Sequence, residues 1–157
     1  MKALITALLN QLKNHPSLTY AAQCAYLSED PYELMEKNRF PFFNVVPGDQ
    51  RIEMGLDNFS KVEFERHIYP VMIQFATSSL RLNVAIMGDD TNNKKGILDF
   101  SDDIWTAIKF DRTVNNTVDG IIPSNSVIPN DFIKDNNSLF IARAEIKIEF
   151  YKDFGLL

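Results

Sequence analysis

Few side chains in this chain are of types that do chemistry. There are two histidines, His15 and His67, one cysteine, Cys24, and two Asp-Asp pairs, Asp89-Asp90 and Asp102-Asp103. A tetrahedral zinc site draws on His and Cys at short fixed spacings, and neither histidine has such a neighbour. Nucleophilic hydrolysis would have to join Cys24 to a histidine across the fold, since no G-x-S-x-G elbow occurs. The six glycines are dispersed, and no loop has the pattern that cradles phosphate. Asp89-Asp90, followed by Thr91, Asn92 and Asn93, has the oxygen-rich make-up of a calcium loop. It lacks the central glycine and closing glutamate of an EF-hand. Asp102-Asp103 falls near the beginning of a helical pattern, where the helix dipole favours negative charge. The expectation is therefore a protein that is not an enzyme, with no metal and no cofactor.

Charge narrows the partners. The chain carries a formal net charge of -5, and Lys94-Lys95 is its one adjacent basic pair, beside Asp89 and Asp90 in a polar loop. Gripping duplex DNA requires clustered Lys and Arg on one face, so a duplex-binding role is not expected. A single cysteine excludes an internal disulfide, and Cys24 reads as a buried, inert thiol. The apolar run Ala3–Leu9 is followed by Asn10, Gln11, Lys13, Asn14 and His15, which fits an amphipathic helix better than a secretory signal. Without a secreted context, the Asn-x-Ser/Thr matches at Asn58, Asn115 and Asn136 read as chance.

The elements that must hold these residues follow from hydrophobic periodicity. Leu4, Ile5, Leu8, Leu9 and Leu12 recur at helical spacing, and Asn14-His15-Pro16 ends the helix. Leu18 to Leu27 carries Tyr20, Ala22, Cys24 and Tyr26 in period two, which predicts a strand. Glu33 to Lys37 suits a short helical turn. Phe40 to Val46 is a β-prone run closed by Pro47-Gly48-Asp49. Val62 to Ala76 predicts a long strand whose apolar parity changes near Pro70, which suggests a bend or bulge there and a more exposed first half. His67 shares a parity with Glu63 and Glu65, a polar and solvated face. Leu80 to Met87 fits a helix or a strand, and Gly88 to Gly96 a polar loop. Ile97 to Phe110 predicts a second main helix. Thr113 to Ser138 holds Val114, Val118, Ile121, Ile122, Val127 and Ile128 as strand fragments. Phe140 to Tyr151 alternates apolar with polar residues, with Arg143, Glu145, Lys147 and Glu149 on the wet face. A strand wet on one face belongs to an antiparallel sheet. The expected architecture is thus α+β: a single domain over 1–157, mostly antiparallel sheet, with two main helices packed on one face.

Two segments point further. Arg39-Phe40-Pro41-Phe42-Phe43-Asn44-Val45-Val46, after an N-terminal helix, and Ala142 to Tyr151, near the C-terminal end, resemble the tail terminator (tail completion) proteins of long-tailed bacteriophages. The order of elements between them is similar too, and the resemblance spans nearly the whole chain apart from the loops at 88–96 and 113–138. It implies a structural virion protein: a homo-oligomeric ring, usually a hexamer, that caps the finished tail tube and stops its polymerisation. The implied partners are further copies of the chain, the tail tube protein and the head-tail connector, with DNA passing through the lumen unbound and no membrane involved. The implied location is the head-proximal end of the tail, with assembly in the host cytoplasm. Arg143, Glu145, Lys147 and Glu149 are the candidate subunit interface, with a plain solvated face as the alternative. Two other readings stay open. One is another neck or tube subunit of a phage or contractile injection system. The other is a small-ligand module in which Phe40, Phe42, Phe43, Tyr69 and Phe75 line a pocket instead of forming core.

Overall fold

The computed structural model describes residues 1–37, 39–56, 63–122, 131–134 and 139–155, the last strand fragment before Phe140 by its backbone alone. Val62, Val127, Ile128, Asn58 and Asn136 lie outside them.

The architecture is α+β. Helix α1 (Lys2–Asn14) buries Leu4, Ile5, Leu8 and Leu12, and α4 (Ile97–Phe110) buries Ile97, Phe100, Ile104, Ala107 and Ile108. Both lie on one face of a mostly antiparallel sheet. Its strands, among the described residues, are β1 (Ala25–Leu27), β2 (Phe42–Pro47), β3 (Arg51–Leu56), β4 (Glu63–Ser79), β5 (Gly120–Ile122), β6 (Asp131–Lys134) and β7 (Phe140–Gly155). The order is β1-β2-β4-β7-β5, with β3 beside β4 and β6 beside β7. Among the described strands only β1 and β2 run parallel. Under the helices the sheet presents Val71, Ile73 and Phe75 of β4, Ala144, Ile146 and Ile148 of β7, and Phe43 and Val45 of β2, all buried. The Phe100 ring stands at the centre, with the rings of Phe75, Tyr20 and Phe43 centred 5.2, 5.5 and 6.4 Å away. Burying each such ring is worth about 2–3 kcal/mol.

A short helix, α2 (Pro31–Glu36), covers one end of the opposite face, where Leu34 and Met35 meet Phe42, Ala76 and Ile141. The Asp30 side chain caps it, accepting from the Tyr32 amide at 2.9 Å, and Pro31 occupies its first turn. The predicted turn at Glu33–Lys37 is this helix. Leu80–Met87 resolves as a helix, α3 (Leu82–Met87).

Three expectations are corrected. Leu18 to Leu27 is not one strand: short 3-10 turns at Pro16–Leu18 and Ala22–Cys24 precede the three residues of β1. The amides of Leu18, Ala21 and Cys24 donate in succession to the carbonyls of His15, Leu18 and Ala21, so the segment has period three, and it buries Leu18 and Ala21. Second, β4 carries no bulge, because its pairing with β7 runs unbroken from Phe64↔Gly155 to Ser79↔Phe140. The extra residue lies on the other side of β4. There β2 pairs as far as Pro47↔Val71 and β3 resumes at Arg51↔Ile68, so residues 48–50 face only Tyr69 and Pro70. Pro70, which has no amide hydrogen, sits in this gap, and its carbonyl accepts from the Gly48 amide at 2.8 Å. As expected, the first half of β4 is the more exposed. Third, Cys24 is half-buried beside the small cluster under α2, not fully buried.

Candidate assembly surface

The wet face of β7 is largely satisfied within the chain. Glu149 takes a two-pronged contact from Arg51 of β3, with Nη1 donating to Oε1 at 2.6 Å and Nη2 to Oε2 at 2.9 Å. That contact holds the Glu149 carboxyl below its ordinary range and pushes the Arg51 guanidinium up. Lys147 lies 3.6 Å from Glu145, and the Arg143 guanidinium stands over the Tyr32 ring of α2 at 5.1 Å. Arg143 and Glu145 border a shallow cleft between α2 and the sheet, lined also by Tyr32, Met35 and Gln74. Behind it Asn44, fully buried, donates to Gln74 Oε1 at 3.0 Å and to the Glu29 carbonyl at 2.8 Å, and it accepts from the Glu29 amide at 3.1 Å. Asn44 thereby ties the turn before α2 to the sheet.

Beyond Pro70, strand β3, the first half of β4 and the end of β7 form a three-stranded arm. On the face away from α1 and α4, Arg66 forms a two-pronged ion pair with Asp153, with contacts of 2.7 and 2.8 Å. The same guanidinium lies 4.3 Å from the centre of the Tyr151 ring. On the other face, register places Ile52, His67 and Lys152 in one row and Met54, Glu65 and Phe154 in the next. This is the parity that α1 and α4 cover further along β4, yet here Ile52 is 56%, Met54 66% and Phe154 41% exposed. His67 is engaged between them. Its Nε2 meets the Glu65 carboxylate, its Nδ1 lies 3.1 Å from Gln50 Nε2, and its ring packs 4.6 Å from that of Phe154. The polar, solvated setting expected for His67 is in fact half apolar.

The remaining sequence candidates serve local structure. His15 Nδ1 accepts from the Ser17 amide at 3.1 Å, capping the first 3-10 turn. Asp89 accepts from the amides of Thr91 and Asn92 and, at 2.6 Å, from the Asn92 side chain. The Asn92 side chain is the main cause holding the Asp89 carboxyl below its ordinary value. The Asp102-Asp103 pair does not serve the start of α4. Asp99 does so, accepting from the Gly96 amide at 3.0 Å, while Asp103 accepts from the Tyr20 hydroxyl at 2.8 Å. Burial, with Asp103 beside it, pushes the Tyr20 phenol well above its usual range. No group of three or more His, Cys, Asp or Glu among the described residues is arranged to hold a metal ion. The five aromatic residues flagged for a pocket divide between the two faces. Phe43, Tyr69 and Phe75 join the core under α1 and α4, and Phe40 and Phe42 join the cluster under α2.

The residues that sequence reasoning missed are Ile52, Met54 and Phe154. Their signal was the odd parity of Glu63, Glu65 and His67, which continues the core parity of Val71, Ile73 and Phe75 into a stretch that no helix among the described residues covers.

No known family model matches the chain, and no curated protein matches it. Among solved structures, a chain in the virion of a native gene transfer agent particle is similar at 10% identity, over 93% of this chain and 92% of that chain, with a TM-score of 0.32. Among the described residues, no helix is long and apolar enough to cross a membrane.

Proposed function

We propose that the chain is a tail-terminator-like assembly protein, a ring that caps a completed tube and stops its growth by occupying the growing end. The observation that carries this reading is the order of its elements. A first helix, the Phe-Pro segment leading into β2, the long β4, the helix α4 and the alternating β7 follow one another as in the family that the sequence resembles. Its two motif segments lie on β2 and β7, on either side of β4. The function is a binding event in which no bond is made or broken. The net charge of -5 suits a lumen that DNA crosses without being gripped. The partners are further copies of the chain, the tube subunit on one side and the connector on the other. Arg143, Glu145, Lys147 and Glu149 border the face from which such contacts can be made.

Light scattering on the purified chain, with negative-stain images of tail tubes mixed with it, tests this. A closed oligomer, expected at six times the 18.0 kDa chain mass, that decorates one end of each tube supports the reading. A monomer at every concentration that never caps a tube overturns it. Long filaments would instead mark a tube subunit.

A further inference from the structure

We infer that the uncovered face of the arm, Ile52, Met54 and Phe154, docks on a second copy of the chain at the far end of β4, where Leu80, Leu82 and Met87 are exposed. The inference rests on the ring-forming reading above and names the surface that closes the ring.

Side-chain chemistry favours the arm over the wet face of β7. Cores of protein interfaces are poor in charge and rich in Met and aromatic residues. The β7 row offers charged groups already engaged inside the chain, and exposed ion pairs contribute little. The arm offers three large apolar side chains on one face. Its reverse face is fixed by the Arg66–Asp153 and Arg51–Glu149 pairs, which favour a firm platform. A rigid surface binds at a lower ordering cost.

The far end of β4 supplies the counterpart. Leu80 is 72%, Leu82 39% and Met87 65% exposed, on the strand end and on α3. Leu98 of α4 is exposed alongside, because Gly88 and Gly96 bring the end of α3 against the start of α4. His67 and Glu65 mark the two rows of the arm, and from them to Leu80 the strand rises about 45 Å at ~3.3 Å per residue, so this end of a chain cannot reach its own arm. Another molecule can. One flanking charge pair is complementary. The arm face also carries His67 and Lys152, and Glu65 is engaged by His67, which leaves Glu63 to meet Arg81, exposed between Leu80 and Leu82. Among the described residues, the side chains of Glu63 and Arg81 have no ion-pair partner. Two different patches at opposite ends of one subunit make a head-to-tail interface, the kind that closes into a ring when its rotation permits.

The test is the solution mass of the full chain by light scattering, with far-UV circular dichroism to confirm folding. Wild type is expected as a ring. Ile52→Lys with Met54→Lys, and separately Leu82→Lys, should each give a folded species of 18.0 kDa. Glu63→Arg should weaken the ring at least tenfold in dissociation constant, and adding Arg81→Glu should restore it. A wild-type ring that survives the arm and Leu82 substitutions overturns this interface and leaves the ring-forming reading standing. A wild-type chain that stays monomeric overturns both. Should the lysine variants fail to fold, the charge-reversal pair decides alone: no weakening by Glu63→Arg, or no recovery in the double variant, overturns the proposal.

Discussion

Single side chains settle how the wet face of the sheet is held. Asn44 is fully buried on a strand otherwise built of apolar residues, and all its polar atoms are used on Glu29 and Gln74. Asn44→Leu keeps the volume but strands those partners. A loss of about 1–2 kcal/mol is expected in the denaturant midpoint, since an unmet buried polar group costs more than the bond itself contributes. Glu149 gives a pH signature. Arg51 depresses its folded-state value below the ordinary 4.5, so the stability it lends is complete above that pH and lost as pH falls through the depressed value. The melting temperature of wild type should therefore exceed that of Glu149→Gln at neutral pH, with the gap closing in acid below about 4.5. A gap unchanged down to the lowest pH tolerated would show that the ion pair does not act in solution. These pairings were not legible in the sequence. Alternation assigned Arg143, Glu145, Lys147 and Glu149 to one face, but their partners on β3 and α2 lie far away along the chain.

At the scale of elements, strong amphipathic patterns were readable and short segments were not. The stripes of α1 and α4 and the alternation of β7 each span three or more turns or strand pairs, long enough for burial to dictate the spacing. Between Leu18 and Leu27, four aromatic or small residues in period two imitated a strand, yet chained turns with their own hydrogen bonds won. The acidic pair at Asp102-Asp103 was placed at the start of α4 because charge alone cannot tell the first turn from the second; the side chain that reaches back is Asp99. The junction of α3 and α4 depends on close backbone approach. A Cβ on Gly96 would stand 2.3 Å from the Gly88 amide nitrogen and 2.5 Å from the Ile86 carbonyl oxygen, atoms that cannot swing aside. Gly88 faces it at φ +79°, a conformation that glycine adopts freely. Gly96→Ala should cost about 1–3 kcal/mol in thermal or denaturant unfolding by forcing the helices apart. An unaltered midpoint would refute this account of the junction.

For the molecule as a whole, fold class was legible because a helix, a long strand, a second helix and a one-sided final strand leave few other ways to bury their apolar faces. The assembly surface was legible only as a parity that runs on past the core, because the exposure of Ile52, Met54 and Phe154 follows from where the helices end. The switch of β4 from β2 to β3 at Pro70 has a further consequence for cooperativity. Strand residues Val71 to Ser79 share a core with two helices, whereas Glu63 to Ile68 are held by strand pairing and ion pairs. Amide hydrogen exchange should divide the strand at that proline. Protection of Ile73, Phe75 and Thr77 should track global unfolding, while His67 and Ile68 should exchange through a local opening that leaves the rest intact. Uniform protection along β4 would mean one cooperative unit. A divided strand would mean that losing the neighbour loosens the arm alone while the body of each subunit stays folded.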